Sequence, residues 1–323
     1  MNKLKFYLLR EYMPLFFTLF FIIFIIISLI YVITISNITA GIKITFLDLI
    51  KFYLLSVPQI LLVTMSISFF IAATTLYSKL SESQELVAMF ALGFKPIKIL
   101  FPVIFIAIIL TLLNLFILFV SIPYSKMAFK NLKNQKQQEA KFNLQSSQIS
   151  QQFGQWSVFA TTNKNKAYTN IYLFNPGELK FIISHSAALK TDKGVLSFTL
   201  KKGKIYDLNS TYYIDFTKMK INQKVPHVKI SIFNFKNYFQ YNKKQFAKFL
   251  PIALLPFALL FFIPVLSFFH PRLNKNHTLF YSVSILAIYA VISLSNKNFV
   301  IGIVIPVIFF IIGGVLYKWK IKF

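Results

Sequence analysis

Long apolar runs separated by short polar connections dominate the hydrophobic pattern of this chain. Three runs without a charged residue come first, and a long polar segment separates them from three more. A helix needs about 20 apolar residues to cross the hydrocarbon core of a bilayer. The pattern therefore predicts six membrane spans in two groups of three, near 13–36, 52–76, 99–122, 249–269, 278–295 and 299–317.

The polar segment between the two groups is typical of β-structure. Short β-branched and aromatic stretches follow one another between about 153 and 235, with turn signals at Asn175-Pro176-Gly177 and Thr191-Asp192-Lys193-Gly194. Residues 126–152, rich in Gln, Lys and Ser, form a helical or extended lead-in. The sequence thus predicts an α-helical membrane protein with an inserted all-β, jelly-roll-like domain. Its parts are 1–125, 126–245 and 246–323.

Composition and charge support this division and orient it. The net charge is +26, but hydrophobic residues make up 56% of the chain and charged residues only 14%, a composition unlike that of a soluble nucleic-acid binder. Eleven lysines and arginines flank the spans on one side, against Lys43, Lys51 and Lys297 on the other. The positive-inside rule then predicts cytoplasmic termini and a periplasmic β-domain. The first apolar run is too long for a cleavable signal.

A short amphipathic helix is predicted near 82–92, between the second and third spans. Ser81 and Gln84 fit a capping box, and Glu82 and Glu85 fit the first turn, where the helix dipole favours negative charge. Its end is predicted from Gly93 and Pro96. Apolar residues share one face at helical spacing: Leu86, Met89, Phe90 and Phe94. That face either lies on the headgroups or inserts into a groove of a cytoplasmic partner.

Three stretches resemble the lipopolysaccharide-export permeases, the LptF/LptG family. Glu85-Leu-Val-Ala-Met-Phe-Ala-Leu-Gly93 matches the family pattern E-L/I-x-x-M-x-A-x-G of a cytoplasmic coupling helix. Ile263-Pro-Val-Leu-Ser-Phe-Phe-His-Pro-Arg272 resembles V-P-L-S-x-x-N-P-R, with His270 in place of Asn. Tyr7-Leu-Leu-Arg-Glu11 resembles Y-L-x-R-E. These runs are more similar to LptF than to LptG.

The resemblance implies a subunit that extracts lipopolysaccharide from the outer leaflet of the bacterial inner membrane. It implies a second LptF/LptG-type subunit, an LptB-like ATPase dimer, and LptC-like and LptA-like bridge proteins in the periplasm. ATP and Mg²⁺ would belong to the ATPase, and this chain has no phosphate-binding loop of its own. The residues implied to seat in the ATPase are Glu82, Glu85, Leu86, Met89, Phe90 and Gly93.

Five lysines near the predicted outer interface are candidates for the phosphates of the lipid: Lys43, Lys51, Lys126, Lys130 and Lys297. Each alone is also explained by a lysine that extends its charge to the membrane interface without binding a phosphate.

Other functional classes have less support in the sequence. An ion-coupled transporter needs charges deep inside a span, and none occurs. The four histidines form no zinc motif, and the clustered His, Asp or Glu of a lipid-modifying enzyme are missing from the sequence. A membrane scaffold, whose outer domain senses and whose short helix relays, stays open as an alternative.

Overall fold

A computed structural model describes residues 2–40, 44–141, 151–153, 156–164, 167–192, 195–208, 212–224, 235–270 and 276–321. These residues form two compact units. The first comprises Met1–Ile35, Tyr53–Lys126 and Ile230–Phe323, and the second comprises Ser36–Phe52 and Met127–Lys229. Of the predicted sites, Lys43 lies outside the described residues.

The described helices follow the predicted order, and the first two extend well beyond their predicted spans. They are α1 (Asn2–Thr39), α2 (Phe46–Glu82), α3 (Glu85–Ala91), α4 (Pro96–Phe116), α5 (Ile122–Lys141), α6 (Phe235–Ala258), α7 (Phe262–Ser267), α8 (Thr278–Ser295) and α9 (Phe299–Lys320). A π-helical turn, Ile117–Ser121, joins α4 to α5 without a break. The helical lead-in expected after residue 126 is therefore a direct continuation of the third span.

Five of the described helices are long and apolar enough to cross a membrane: Lys3–Thr39, Phe46–Glu82, Pro96–Gln137, Thr278–Ser295 and Phe299–Lys320. The expected fourth span, 249–269, differs from them because it is divided between α6 and α7. Residues 259–261 form irregular turns, and prolines at 251, 256 and 264 lie on both sides of this break. Each proline removes a backbone donor, so one continuous helix is disfavoured here.

Side chains of other helices bond two carbonyls of α6 that its prolines free. Pro251 cannot donate to the carbonyl of Ala247, and Asn296 Nδ2 donates to that oxygen over 3.1 Å. Pro256 likewise leaves the carbonyl of Ile252, to which Ser66 Oγ donates over 2.8 Å. Both acceptors are buried. The structure thus shows how a proline-containing helix is accommodated in an apolar unit, where an unpaired carbonyl is costly.

The sheet in the second unit consists of six antiparallel strands in sequential order. They are β1 (Gln151–Phe153), β2 (Trp156–Lys164), β3 (Ala167–Asn175), β4 (Lys180–Asp192), β5 (Val195–Asp207) and β6 (Tyr213–Lys224). Among the described residues this order is a meander, without the crossovers of a Greek key. The predicted turn at Asn175 is confirmed, because Asn175 Oδ1 accepts from the amide of Gly177. At the second predicted turn Asp192 pairs with Val195, and residues 193 and 194 lie outside the described part of the chain.

A crease runs across the middle of this sheet. On β5, Phe198 and Leu200 are buried before Lys202, and the next core side chain is Ile205, so the alternation of faces shifts by one residue. Two residues in this crease, Lys202 of β5 and Asn170 of β3, have left-handed backbones, with φ of 52° and 50°. The shift keeps apolar side chains in one core, and β5 stays a single strand across it.

Candidate functional site

The short helix α3 is built by local signals at both ends. Its first residue follows Gln84, whose φ of 61° turns the chain sharply after α2. At its end the amide of Gly93 donates to Phe90 O over 2.9 Å, and the amide of Phe94 donates to Met89 O over 3.2 Å. With φ of 79° at Gly93, these two bonds make a complete Schellman motif, as Gly93 and Pro96 predicted.

One face of α3 is buried in the core of its own unit. Leu86 is 2% exposed and Met89 8%, and both belong to the apolar cluster that contains α2, α4 and α7 side chains. The Phe90 ring lies 5.8 Å from the ring of Phe268, which in turn lies 5.6 Å from that of Tyr77. The predicted apolar face of α3 is therefore confirmed, and its Leu86 and Met89 side chains pack against the core of this chain.

The opposite face of α3 is exposed and consists of small and aliphatic side chains. Val87 is 39% exposed and Leu92, at the last turn, is 77% exposed. Ala88 and Ala91 are also exposed and carry the surface between them. The sequence analysis did not single out these four residues. The signal that would have found them is the i, i+1, i+4, i+5 spacing opposite Leu86 and Met89.

The predicted capping box is wrong. Ser81 belongs to the last turn of α2, and its hydroxyl donates to Ser267 O over 2.6 Å instead of accepting an amide of α3. Glu82 also ends α2, so it does not lie in the first turn of α3. Its Oε1 accepts from Asn276 Nδ2 over 2.6 Å. The reason is that α2 continues to Glu82, six residues past the predicted span 52–76, before the chain turns.

Glu85 does occupy the first turn of α3, as predicted. Its carboxylate accepts from Tyr7 Oη over 2.8 Å and from Ser83 Oγ over 3.1 Å. Tyr7 begins the N-terminal motif, so two of the three stretches on which the family resemblance rests meet here. Glu85 thus ties the start of α3 to α1, and Glu82 ties the end of α2 to the segment before α8.

The four described lysine candidates are divided between the two units, and Lys126 and Lys130 share α5. Lys51 is exposed on α2 and Lys130 is exposed on α5, in the second unit. In the first unit, Lys126 Nζ lies 5.3 Å from the centre of the Phe249 ring, and Lys297 is exposed between α8 and α9. In the second unit a different pair forms an ion pair, with Lys136 Nζ 2.9 Å from Asp48 Oδ2.

These features define a class: a multi-pass helical membrane protein with a β-domain between its two groups of helices and a short helix fixed between α2 and α4. The family described as lipopolysaccharide export system permease LptF/LptG matches residues 6–320, nearly the whole chain. The chain belongs to this family, as the motifs predicted. The family is one of transporter permeases, not enzymes. A search of curated proteins finds no match.

Proposed function

We propose that this chain is the subunit through which an LptB-like ATPase dimer drives the export of lipopolysaccharide from the outer leaflet of the bacterial inner membrane. Export itself follows from family membership. The observation that supports the coupling to an ATPase is the contrast between the two faces of α3. One face is buried, and the other is exposed and apolar. In this arrangement both termini and α3 face the cytosol, and the β-domain faces the periplasm, as the lysine and arginine distribution favours.

The outer face of α3 suits a groove of the ATPase. Ala88 and Ala91 allow close approach of a partner, and Leu92, 77% exposed, offers a large side chain to a pocket. Lys79, Lys95 and Lys98 are exposed on either side of α3 along the chain. A matching groove would therefore be apolar at its centre and acidic at its rim. The other face of α3 is held against the core of its own unit by Leu86, Met89 and Phe90.

The remaining partners act on the membrane and periplasmic parts. A second LptF/LptG-type subunit would cover part of α1, whose most apolar window is only 6% buried. LptC-like and LptA-like bridge proteins would continue the sheet by strand addition. Of its two outer strands in the described order, β6 offers 12 residues and β1 only 3, which favours β6. Lys43, Lys51, Lys126, Lys130 and Lys297 would contact the phosphates of the lipid.

Copurification with reconstitution tests this function. The wild-type chain, coexpressed with its ATPase and its second subunit, should form a complex that releases lipopolysaccharide from vesicles to a periplasmic acceptor when ATP is added. Leu92→Asp should break the ATPase contact and stop release, because it puts a charge into an apolar pocket. Leu208→Asp, the same substitution at a side chain that is 61% exposed after β5, should keep the ATPase contact and serves as the matched control. A wild-type chain that binds no ATPase would support a scaffold instead.

A further inference from the structure

The end of α7 bonds to side chains from three different helices. Its last three carbonyls, those of Val265, Leu266 and Ser267, lie beyond the reach of the helix's own amides, because Phe268 leaves the helix in an extended conformation. Lys320 Nζ donates to Val265 O over 2.6 Å, Thr278 Oγ1 to Leu266 O over 3.2 Å, and Ser81 Oγ to Ser267 O over 2.6 Å.

These donors connect elements that are far apart along the chain. Ser81 ends α2 directly before α3, Thr278 begins α8, and Lys320 ends α9. Ser78 Oγ of α2 also donates to Thr278 Oγ1 over 3.3 Å, so α2 reaches α7 both directly and through α8. All of these groups belong to the first unit. Through these three side-chain donors, the end of α7 is bonded to α2, α8 and α9.

Position and charge distinguish Lys320 within this junction. A cation at the C-terminus of a helix interacts favourably with the last carbonyls, and a charged donor makes a stronger hydrogen bond than a hydroxyl. Lys318, one half-turn earlier on α9, is exposed like Lys320 but donates to none of the three described carbonyls. The two lysines therefore share charge and neighbourhood, and differ in this bond.

We infer that the end of α7, held by Lys320, Thr278 and Ser81, is the rigid junction that carries the displacement of α3 to α8 and α9. Lys320 and Ser81 are positioning residues that act through α7 and contact neither lipid nor ATP. This inference rests on the proposed function, since it requires that a partner move α3. A rigid junction transmits motion as one body. A loosened one lets α3 move while α8 and α9 stay behind.

The test measures lipid released per ATP hydrolysed in vesicles that contain the whole complex. Lys320→Met should lower this ratio about tenfold, the factor for a charge-assisted hydrogen bond of ordinary strength, while ATP hydrolysis continues. Lys320→Arg, which keeps a charged donor, should restore much of it, and Lys318→Met should leave it unchanged. Mere loss of folded protein would lower release and hydrolysis together and leave the ratio as it was. An unchanged ratio in Lys320→Met, at a rate of ATP hydrolysis equal to that of the wild-type complex, would overturn the inference.

A second variant tests rigidity without removing Lys320. The chain has no cysteine, so Ser78→Cys with Thr278→Cys introduces a single pair, at positions whose side-chain oxygens are 3.3 Å apart. The oxidised form should export at least as well as the reduced form, in which position 278 has lost the hydroxyl that donates to Leu266 O, if α2 and α8 move as one body. Export that stops on oxidation and returns on reduction would show a hinge and overturn the inference. A wild-type complex that neither hydrolyses ATP nor releases lipid would refute the proposed function instead.

Discussion

The two units of this protein satisfy their backbone polar groups in different ways. In the sheet, each strand bonds its neighbours along a regular register, and the exception is the crease at Asn170 and Lys202. In the helical unit, bonds within each helix suffice until a proline or a helix end leaves a carbonyl free. There Ser66, Asn296 and Lys320 donate from other helices. A small number of polar side chains therefore determines how these helices pack against one another.

This difference teaches where each unit is sensitive to substitution. Apolar side chains in the helical unit face either lipid or one another, so hydrophobicity alone distinguishes packing surfaces poorly. In the sheet, the alternation of faces and the close approach of strands leave little choice. The helical unit should therefore be most sensitive at buried sites that receive a charge and at side-chain donors, and the sheet at backbone positions that admit no side chain.

The largest effect is expected from a charge placed in the helical core. Met89→Asp would bury a carboxylate at a position that is 8% exposed, and should lower the free energy of unfolding by about 4 kcal/mol. Leu92→Asp, on the exposed face of the same turn region, should change it by less than about 0.5 kcal/mol. Size-exclusion profiles of the heated protein in detergent measure both. Equal losses would contradict the assignment of the two faces of α3.

A smaller loss is expected from a single methyl group at the crease of the sheet. A Cβ on Gly203 would clash with the carbonyl oxygen of Ile183 and lie 2.6 Å from Phe216 Cζ. Gly203→Ala should therefore destabilise the second unit by about 3 kcal/mol and speed its cleavage by protease in the whole chain. Gly177→Ala is the control, because its Cβ would make only an ordinary contact of 3.5 Å with Asn175 Oδ1. Unchanged cleavage of Gly203→Ala would argue against the close strand approach.

The smallest of the three effects should come from the donor that serves Pro251. Asn296→Ala leaves the buried carbonyl of Ala247 without its side-chain donor and should cost about 1 to 2 kcal/mol. In a Pro251→Ala background the helix can donate to that carbonyl itself, so the same substitution should cost less. A double-mutant cycle measured by thermal unfolding in detergent gives the difference. Additive costs would show that Asn296 does not act through this carbonyl.

Much of the fold could be predicted from the sequence because it follows from strong local patterns. Apolar runs located the spans, and Gly93 with Pro96 located the end of α3. The break between α6 and α7 was missed because several prolines in one apolar run are compatible with a kink as well as a break. The crease was missed because a shift in alternation at Lys202 resembles the boundary between two strands.

The candidate site was predicted only in part, for a different reason. Amphipathic spacing shows which residues of α3 share a face, but not whether Met89 meets its own core or a partner. The local pattern of Ser81 indicated a cap, whereas its actual acceptor is a carbonyl 186 residues away in sequence. In the sequence analysis, Lys320 counted only as one of the eleven basic residues that orient the chain in the membrane. Its bond to Val265 depends on the tertiary arrangement of α7 and α9, which no short-range pattern contains.

The most direct test of the central claim is the protection of single thiols on α3 by the ATPase. Because the natural chain has no cysteine, Leu92→Cys and Met89→Cys each carry one reactive group. We expect Leu92→Cys to react quickly with a maleimide in the free chain and slowly once the ATPase is bound, and Met89→Cys to react slowly in both states. If binding of the ATPase leaves the reactivity of Leu92→Cys unchanged, the outer face of α3 is not where the driving force enters.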